Sequence, residues 1–352
     1  MSARDAGAVR FGGAQITVRG VRMSGRFALR GVVVAGILVL VAVVIALVSL
    51  ATGSYALTLH QVVDALVGRE TGIVRTVVIE WRLPRVLVAL LFGLALGAAG
   101  AVFQSLTRNP LGSPDIIGFD TGAYTGALIV MLVTHTPGLY STTVAAIAGG
   151  LTTAALVYLL AYRRGVQGFR LIITGIGITA MLGSLNTWLL LRASTQDAVT
   201  ASYWGAGSLS NAGYPQLIPS AVIIVVLLVA LSGLQRGART LELGDDAAKQ
   251  LGVSAERTRL LLVIVGVALS ATVTAFAGPI AFISLSAPQI ARRLTRSPGV
   301  SPGAAALTGG VLLLAADWLA QHAFPVTLPV GIVTVVLGGG YFVWLLIAEG
   351  QR

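Results

Sequence analysis

The chain has one lysine, Lys249, in the stretch LELGDDAAKQLGV (241–253), beside the acids Asp245 and Asp246. A lysine can bind phosphate, but a P-loop requires it within GxxxxGK(S/T). Here Ala248 precedes Lys249, so the pattern is not met. We therefore predict that the chain is not itself an ATPase.

The other residues able to do chemistry are scattered. His60, His135 and His322 stand singly, without an HExxH pattern, and cysteine is absent. A metalloenzyme site or a thiol nucleophile is therefore not expected, and we predict no cofactor in this chain.

Composition indicates where the chain resides. Of 352 residues, 56% are hydrophobic and 11% charged, with a mean hydropathy of +0.88, as in a polytopic membrane protein. The net charge of +11 could suggest nucleic acid, but in membrane proteins basic residues concentrate in cytoplasmic loops. We therefore expect the chain to interact with the lipid bilayer and not with nucleic acid.

Charge-free runs predict the spans, because a helix needs about 20 apolar residues to cross the hydrocarbon. The turn His135–Gly138 and the break at 277–279 each divide a longer run, and SYWGAGSLSNAGYP (202–215) is turn-rich. Ten spans are predicted: 31–51, 86–107, two within 121–162, 171–191, 217–234, two within 260–291, 302–321 and 328–347.

Arginine placement predicts the orientation. With ten spans, 19 of 24 basic residues lie on the side of the basic N-terminal arm, 1–30. The other side holds Arg69, Arg75, Arg82, Arg85 and Arg192. We do not expect a cleavable signal peptide, because the apolar run after the arm is too long and lacks a clean small-residue cleavage site. We predict a multi-pass protein of the cytoplasmic membrane with both termini in the cytoplasm and a ten-helix transmembrane domain at 31–348.

This topology places 241–253 in the cytoplasm. Asp245 and Asp246 suit a helix N-terminus and Gly252 a helix end, while Ser254 could cap a second helix that runs into the membrane. The alternative is an ordinary solvated loop.

Two segments rich in Gly and Pro interrupt the helices. QSLTRNPLGSPDIIG (104–118) and GPIAFISLSAPQ (278–289) leave backbone groups unpaired near membrane depth, which is tolerated only inside protein or beside a watery cavity. Paired breaks in two halves are typical of inverted repeats flanking a pathway. A purely structural kink is the alternative for each proline.

From about Leu57 to Ile347 the chain resembles the FecCD permease family, the membrane subunits of ABC importers for iron-siderophores, haem and vitamin B12. The segments carrying the resemblance are RLPRVLVALLFGLALGAAGAVFQSLTRNPLGSPDIIG (82–118), LELGDDAAKQLGV, GPIAFISLSAPQIARRL (278–294), AADWLAQ and LPVGIVTVVLGGGYFVWLL (328–346).

The resemblance implies an all-α type II ABC importer permease fold of about ten helices with inverted repeats. It implies two permease subunits, identical or paralogous, and an extracytoplasmic siderophore-binding protein. It further implies two cytoplasmic ATPase subunits, which would bind the ATP and Mg²⁺. It also implies that the segment 236–259 forms coupling helices contacting the ATPases. The coupling residues implied are Leu241, Gly244, Asp245, Asp246, Lys249, Gln250, Leu251 and Gly252.

The resemblance assigns two further sites. Asn109 and Leu111 would form the cytoplasmic gate together with Gln167, Gly168 and Phe169. Arg82 and Arg85 would receive acids of the binding protein, although interface anchoring alone would also explain arginines there.

The chain departs from the family pattern at several positions. Gln321 and His322 stand where a third docking arginine is expected, so we expect Gln321 to contribute to docking instead. Asp317 is a proton-relay candidate or, as we favour, a hydrogen-bonded residue near a helix end. Gln289, Ser284 and Thr327 favour a ferric siderophore over vitamin B12 as cargo.

Two other functions stay open at this point. A secondary transporter or channel for a small solute would also show broken helices, and an ABC importer for haem or vitamin B12 shares the family pattern. A secondary transporter normally needs an ion or proton relay, for which Asp317 is the main candidate.

Overall fold

The computed structural model describes residues 15–19, 24–134, 136, 138–162, 168–297 and 299–350. Within these described residues, two strands precede fourteen α-helices and two π-helical stretches, Thr76–Arg82 and Ile129–Val133. The elements are β1 Gln15–Arg19, β2 Ser24–Ala28, α1 Leu29–Ala51, α2 Leu59–Leu66, α3 Gly72–Arg75, α4 Leu83–Thr107, α5 Phe119–Leu128, α6 Leu139–Ala161, α7 Gly168–Arg192, α8 Thr195–Gly205, α9 Tyr214–Glu242, α10 Asp245–Gln250, α11 Ala255–Ala277, α12 Ile283–Thr295, α13 Pro302–His322 and α14 Val330–Gly350.

The spans follow the predicted apolar runs. Within the described residues, seven helices are long and apolar enough to cross a membrane, and Phe119–Val133 and Val330–Trp344 are shorter apolar helices. With α12 these make the ten expected segments. The segments are helical because hydrocarbon offers no hydrogen-bond partner for backbone N–H and C=O groups. These groups must therefore pair with each other within each segment. The predicted helical membrane fold is confirmed.

The N-terminal arm contains an element that the all-α prediction lacked. β1 and β2 pair in an antiparallel hairpin, with Gln15 opposite Ala28 and Arg19 opposite Ser24. Its strand residues alternate in a way that our search for long apolar runs could not detect.

The helix of the RLPR motif begins earlier than predicted. A π-helical stretch, Thr76–Arg82, joins α3 to α4, so Arg82 and Arg85 lie within a continuous helical segment, Gly72–Thr107. Pro84 lacks the N–H that would bond to the carbonyl four residues earlier, and the wider turn just before it accommodates this loss.

Three predicted boundaries between 195 and 242 were wrong. Ser202–Gly205, expected in a turn, belong to α8, and Pro215, also expected in a turn, lies in the first turn of α9. Proline fits a first helical turn because that N–H has no intrahelical partner. α9 also continues to Glu242, two turns beyond the predicted Leu234.

Small residues let the central helices pack closely. α4 and α11 are mostly buried, whereas few residues of α1 are buried. A Cβ at Gly93 would collide with the carbonyl of Gly309, and one at Gly97 with that of Ala305. Backbones of α4 and α13 therefore touch, as small residues permit in membrane bundles.

Candidate functional sites

Arg82 lies at the predicted outer end of the bundle and caps α1. Its Nη1 donates to the carbonyl of Leu50 (2.7 Å) and its Nη2 to that of Tyr55 (2.6 Å). Gly53, at φ +141°, allows this approach, since a Cβ there would lie 2.6 Å from Nη2. A guanidinium at a helix C-terminus satisfies carbonyls that the helix leaves unpaired and favours its dipole.

Arg85 forms an ion pair with Asp317 of α13. Its Nη2 lies 2.9 Å from Oδ1 and its Nε 3.1 Å from Oδ2. The Arg85 side chain is 20% exposed and the Asp317 side chain 3%. Gln321 Nε2 donates to the same carboxylate at 2.7 Å. Asp317 is thus hydrogen-bonded near the end of its helix, as favoured, and it is also the partner of a predicted docking arginine.

The three predicted docking residues share one cavity. Arg82, Arg85 and Gln321 line a space of about 460 Å³ that also includes Trp81 and Tyr55. We name Arg82, Arg85, Asp317 and Gln321 the outer polar cluster. Within it the arginines already have internal partners, so their docking role stays a prediction.

The predicted gate turn begins where α4 ends. Arg108, the C-cap residue, is left-handed (φ 50°, ψ 33°) and reverses the chain direction. Asn109 Oδ1 then accepts from the N–H of Leu111 (2.9 Å), while Asn109 O accepts from that of Gly112 (3.0 Å). Leu111 is exposed. The turn is built from its own backbone, as expected of a break with Gly and Pro.

The second broken segment contacts the first. Phe282 is left-handed (φ 69°), and its N–H donates to Asp115 Oδ2 (3.1 Å) at the start of α12. Beside the gate turn, Gln289 Nε2 donates to Gln104 Oε1 (2.6 Å), and Gln104 Nε2 donates to the carbonyl of Leu285 (2.9 Å). The two interruptions expected to flank a pathway thus lie against each other.

The other half of the predicted gate is only partly described. Gln167 lies outside the described residues, Gly168 is the first residue of α7, and the side chain of Phe169 is 73% exposed. No contact of these residues with the Asn109–Leu111 turn is observed in the described structure, so this pairing stays a prediction.

The predicted coupling segment folds as a short helix between α9 and α11. Gly244 (φ 110°) precedes α10 and Gly252 (φ 77°) follows it, where left-handed backbone suits glycine. Ala248 of α10 and Leu241, near the end of α9, are both buried. Val253 N–H donates to Ala248 O (2.9 Å), closing the turn into α11.

Exposed side chains surround α10. Leu243 is 69% exposed and Leu251 65% exposed. The carboxylate of Asp246 is 97% exposed and lies 3.9 Å from Lys249 Nζ. We name Leu243, Asp246, Lys249 and Leu251 the α10 surface. Gln250 is exposed beside it. The second helix expected to run into the membrane is the long α11. Ser254 occupies its N-cap but makes no side-chain capping bond, contrary to the prediction.

A contact near α10 joins two spans. Tyr162, after α6, donates to Glu256 Oε1 of α11 (2.5 Å). This hydrogen bond to the carboxylate, followed by the charge of Glu256, raises the pKa of Tyr162 above its usual value. The contact is a further link between the α10 region and the transmembrane bundle.

Some polar residues of the bundle were missed from the sequence. Asp120 accepts hydrogen bonds from Ser270 (2.8 Å) and Thr274 (3.0 Å) of α11. Isolated acids in apolar runs, such as Asp115 and Asp120, were a usable signal because buried charge in a membrane needs partners. Among the described residues, His, Asp and Glu side chains form no group of three suited to a metal ion.

Comparison with known proteins gives concordant results. Residues 38–348 match the FecCD transport family. The chain is 51% identical over 317 residues to the ferric enterobactin transport system permease protein FepG of Escherichia coli (strain K12), covering 90% of this chain and 96% of that protein.

A second relative and a solved structure extend the likeness. The iron(3+)-hydroxamate import system permease protein FhuG of Bacillus subtilis (strain 168) is 34% identical over 327 residues, covering 89% of this chain and 96% of that protein. A metal-chelate type ABC transporter solved in an inward-facing conformation superposes with a TM-score of 0.77 at 26% identity, covering 90% of this chain and 99% of that one.

Proposed function

Because the chain belongs to the FecCD transport family, it is the permease of an ABC importer, and we propose that its cargo is a ferric siderophore. The relatives named above carry ferric enterobactin and iron(3+)-hydroxamate, so an iron chelate is the shared cargo class. With 51% identity to the ferric enterobactin permease, that chelate is the first substrate to test.

The observation that carries the ATP-driven part of this proposal is the α10 surface. Leu243 and Leu251 expose large apolar side chains beside the charges of Asp246 and Lys249, outside the transmembrane bundle. Exposed large apolar side chains beside charged ones are typical of a protein contact. We assign this contact to two ATPase subunits, with Leu241, Gly244, Asp245, Gln250 and Gly252 shaping or flanking it.

We assign the gate to the Asn109–Leu111 turn, together with Gln167, Gly168 and Phe169. Gln104, near the end of α4 that leads into the turn, is hydrogen-bonded to Gln289 and Leu285 of α12. Movement of α12 would therefore shift the turn. A second permease subunit, identical or paralogous, would complete the pathway.

At the opposite end we assign the outer polar cluster to the binding-protein side. In this arrangement both termini lie in the cytoplasm and the cluster faces outward. Arg82, Arg85 and Gln321 already bond within the chain, so a docking carboxylate would have to share or displace those partners.

The proposal is tested by reconstituting the permease with the ATPase subunits and binding protein that co-purify with it. Radiolabelled ferric enterobactin should enter proteoliposomes only with ATP, and an imposed proton gradient without ATP should drive none. Uptake driven by that gradient alone would identify a secondary transporter. Saturable uptake of haem or vitamin B12 in preference to the iron chelate would reject the siderophore assignment.

Orientation is tested separately, because the chain has no cysteine. A single cysteine at Ser2 should react with a membrane-impermeant maleimide only after the cell is broken. Labelling of intact spheroplasts would reverse the proposed topology.

A further inference from the structure

The end of α9 is bonded directly to the end of α4, far along the chain. Arg108 Nη2 donates to the carbonyl of Leu241 at 2.9 Å, and Ser105 Oγ donates to Glu242 Oε1 at 3.3 Å. We name Ser105, Arg108, Leu241 and Glu242 the α4–α9 latch. It joins the helix that ends in the gate turn to the helix that ends in the coupling segment.

On the α9 side, the latch is rigidly continuous with α10. Gly244 N–H donates to Leu241 O (3.1 Å), and Ala248 N–H donates to Gly244 O (2.9 Å). The Leu241 carbonyl therefore accepts from both Arg108 and the turn that starts α10. These two bonds link the start of α10 to that carbonyl, so a displacement of α10 would reach it through the Gly244 turn.

On the α4 side, the latch is the start of the gate turn. Arg108 is the left-handed residue that ends α4, and Asn109 follows it at once. The side chain of Arg108 binds α9 while its backbone sets the direction of the turn. A displacement of Leu241 would therefore move Arg108, the residue at which the gate turn begins.

The surroundings leave room for such a movement. A cavity of about 200 Å³ lies beside the latch, lined by Asn109, Pro110, Glu242 and Arg292 among others. Gly299, in the loop before α13, approaches so closely that a Cβ there would lie 2.9 Å from Glu242 Oε2. The gate turn can thus move into open space on one side while Glu242 is held on the other.

We propose that the α4–α9 latch transmits displacement of α10 to the gate turn, with Arg108 and Glu242 as its positioning residues. The inference rests on the proposed function, since it presumes that an ATPase pushes on α10. It adds the path by which that push reaches Asn109.

The test compares latch variants in the reconstituted complex with its ATPases, using ferric enterobactin as cargo. Arg108→Gly keeps the left-handed backbone and removes the guanidinium. We expect iron imported per ATP hydrolysed to fall about tenfold, with ATP hydrolysis retained. Arg108→Lys, which keeps a donor, should recover much of the loss. Arg296→Gly, at the exposed left-handed residue that ends α12, serves as the matched control for Arg108→Gly.

A pair of engineered cysteines tests whether the latch transmits the displacement. In Ser105→Cys plus Glu242→Cys the hydrogen bond is lost, and coupling should fall; a short reversible thiol cross-linker should restore it, and reductant should abolish it again. A latch that only stabilises the fold would change protein abundance and Tm but not the ratio of iron to ATP.

The outcomes separate the two proposals. If the unaltered complex imports no chelate with ATP, the proposed function fails. If it imports normally and the latch variants keep the same ratio of iron to ATP, or the cross-link restores nothing, the latch is refuted while the importer assignment stands.

Discussion

The outer polar cluster and the α10 surface both carry charges that the family resemblance assigns to partner proteins, yet they differ in how those charges are used. In the outer polar cluster, Arg82 and Arg85 bind carbonyls and a carboxylate of the same chain. Around α10, Asp246 and Lys249 are exposed and 3.9 Å apart, with leucines beside them. The first region is built into the fold, whereas the second is available to a partner.

This difference predicts that removing a charged side chain lowers stability in the outer polar cluster but alters function at the α10 surface. Losing a charge in the outer polar cluster should damage folding, because its partner stays buried and unpaired. Losing one at the α10 surface should leave folding intact and alter function.

The largest effect is expected for Asp317→Ala. It leaves the guanidinium of Arg85, only 20% exposed, without its ion pair. Removing one partner of such a pair costs about 3 kcal/mol of unfolding free energy. Thermal unfolding in detergent should show a clear fall in Tm, with partial recovery in the double variant with Arg85→Gln. An unchanged Tm would mean that the pair is not part of the fold.

A smaller loss is expected for Arg82→Ala. It removes two hydrogen bonds to the carbonyls of Leu50 and Tyr55, and water can replace part of them because the side chain is half-buried. We expect about 2 kcal/mol of destabilisation. Arg192→Ala, an exposed arginine assigned to the same side, is the matched control. Equal unfolding temperatures for the two variants would contradict the capping role of Arg82.

At the α10 surface, Leu243→Ser plus Leu251→Ser should weaken ATPase binding without altering Tm. Losing the apolar side chains of these two exposed leucines should weaken the binding free energy by about 1.4 kcal/mol, which raises Kd about tenfold. Affinity of the permease in nanodiscs for its ATPase subunits is the measurement. Val222→Ser plus Val226→Ser, on the exposed face of α9, controls for lost apolar area. Undiminished affinity would remove α10 from the interface.

The smallest structural effect is expected for Asp246→Lys. Exposed ion pairs contribute little to stability, so Tm should not change measurably. Stimulation of ATP hydrolysis by the loaded binding protein should nonetheless drop, since the charge facing the ATPase is reversed. Normal stimulation and uptake would refute a role for this residue in coupling.

The bundle and the α10 helix were predictable because their signals are local. Apolar run length determines a span in hydrocarbon, and the glycines at 244 and 252 bound α10 through their own backbone preferences. The hairpin of β1 and β2 and the early start of the RLPR helix were missed, since both depend on how neighbouring turns continue rather than on a hydrophobic run.

The partners of the site residues could not be read in the same way. Arg85 and Asp317 are 232 positions apart, and Arg108 and Leu241 are 133 apart. A local pattern contains no information on such pairs unless the packing of the helices is known. Arg82 and Arg85 therefore looked free for docking from the sequence, although both are internally bonded.

Composition and spacing alone determined that this chain spans a membrane, that two Gly/Pro segments interrupt its helices, and that a short polar helix lies at 245–250. These follow from backbone hydrogen bonding and hydrophobicity, which act over a few residues. Only the tertiary structure decided which charges are bound within the protein and which face outward, and which helix ends are joined. Those outcomes depend on close packing between distant segments, where glycines such as Gly93 and Gly97 allow backbones to meet.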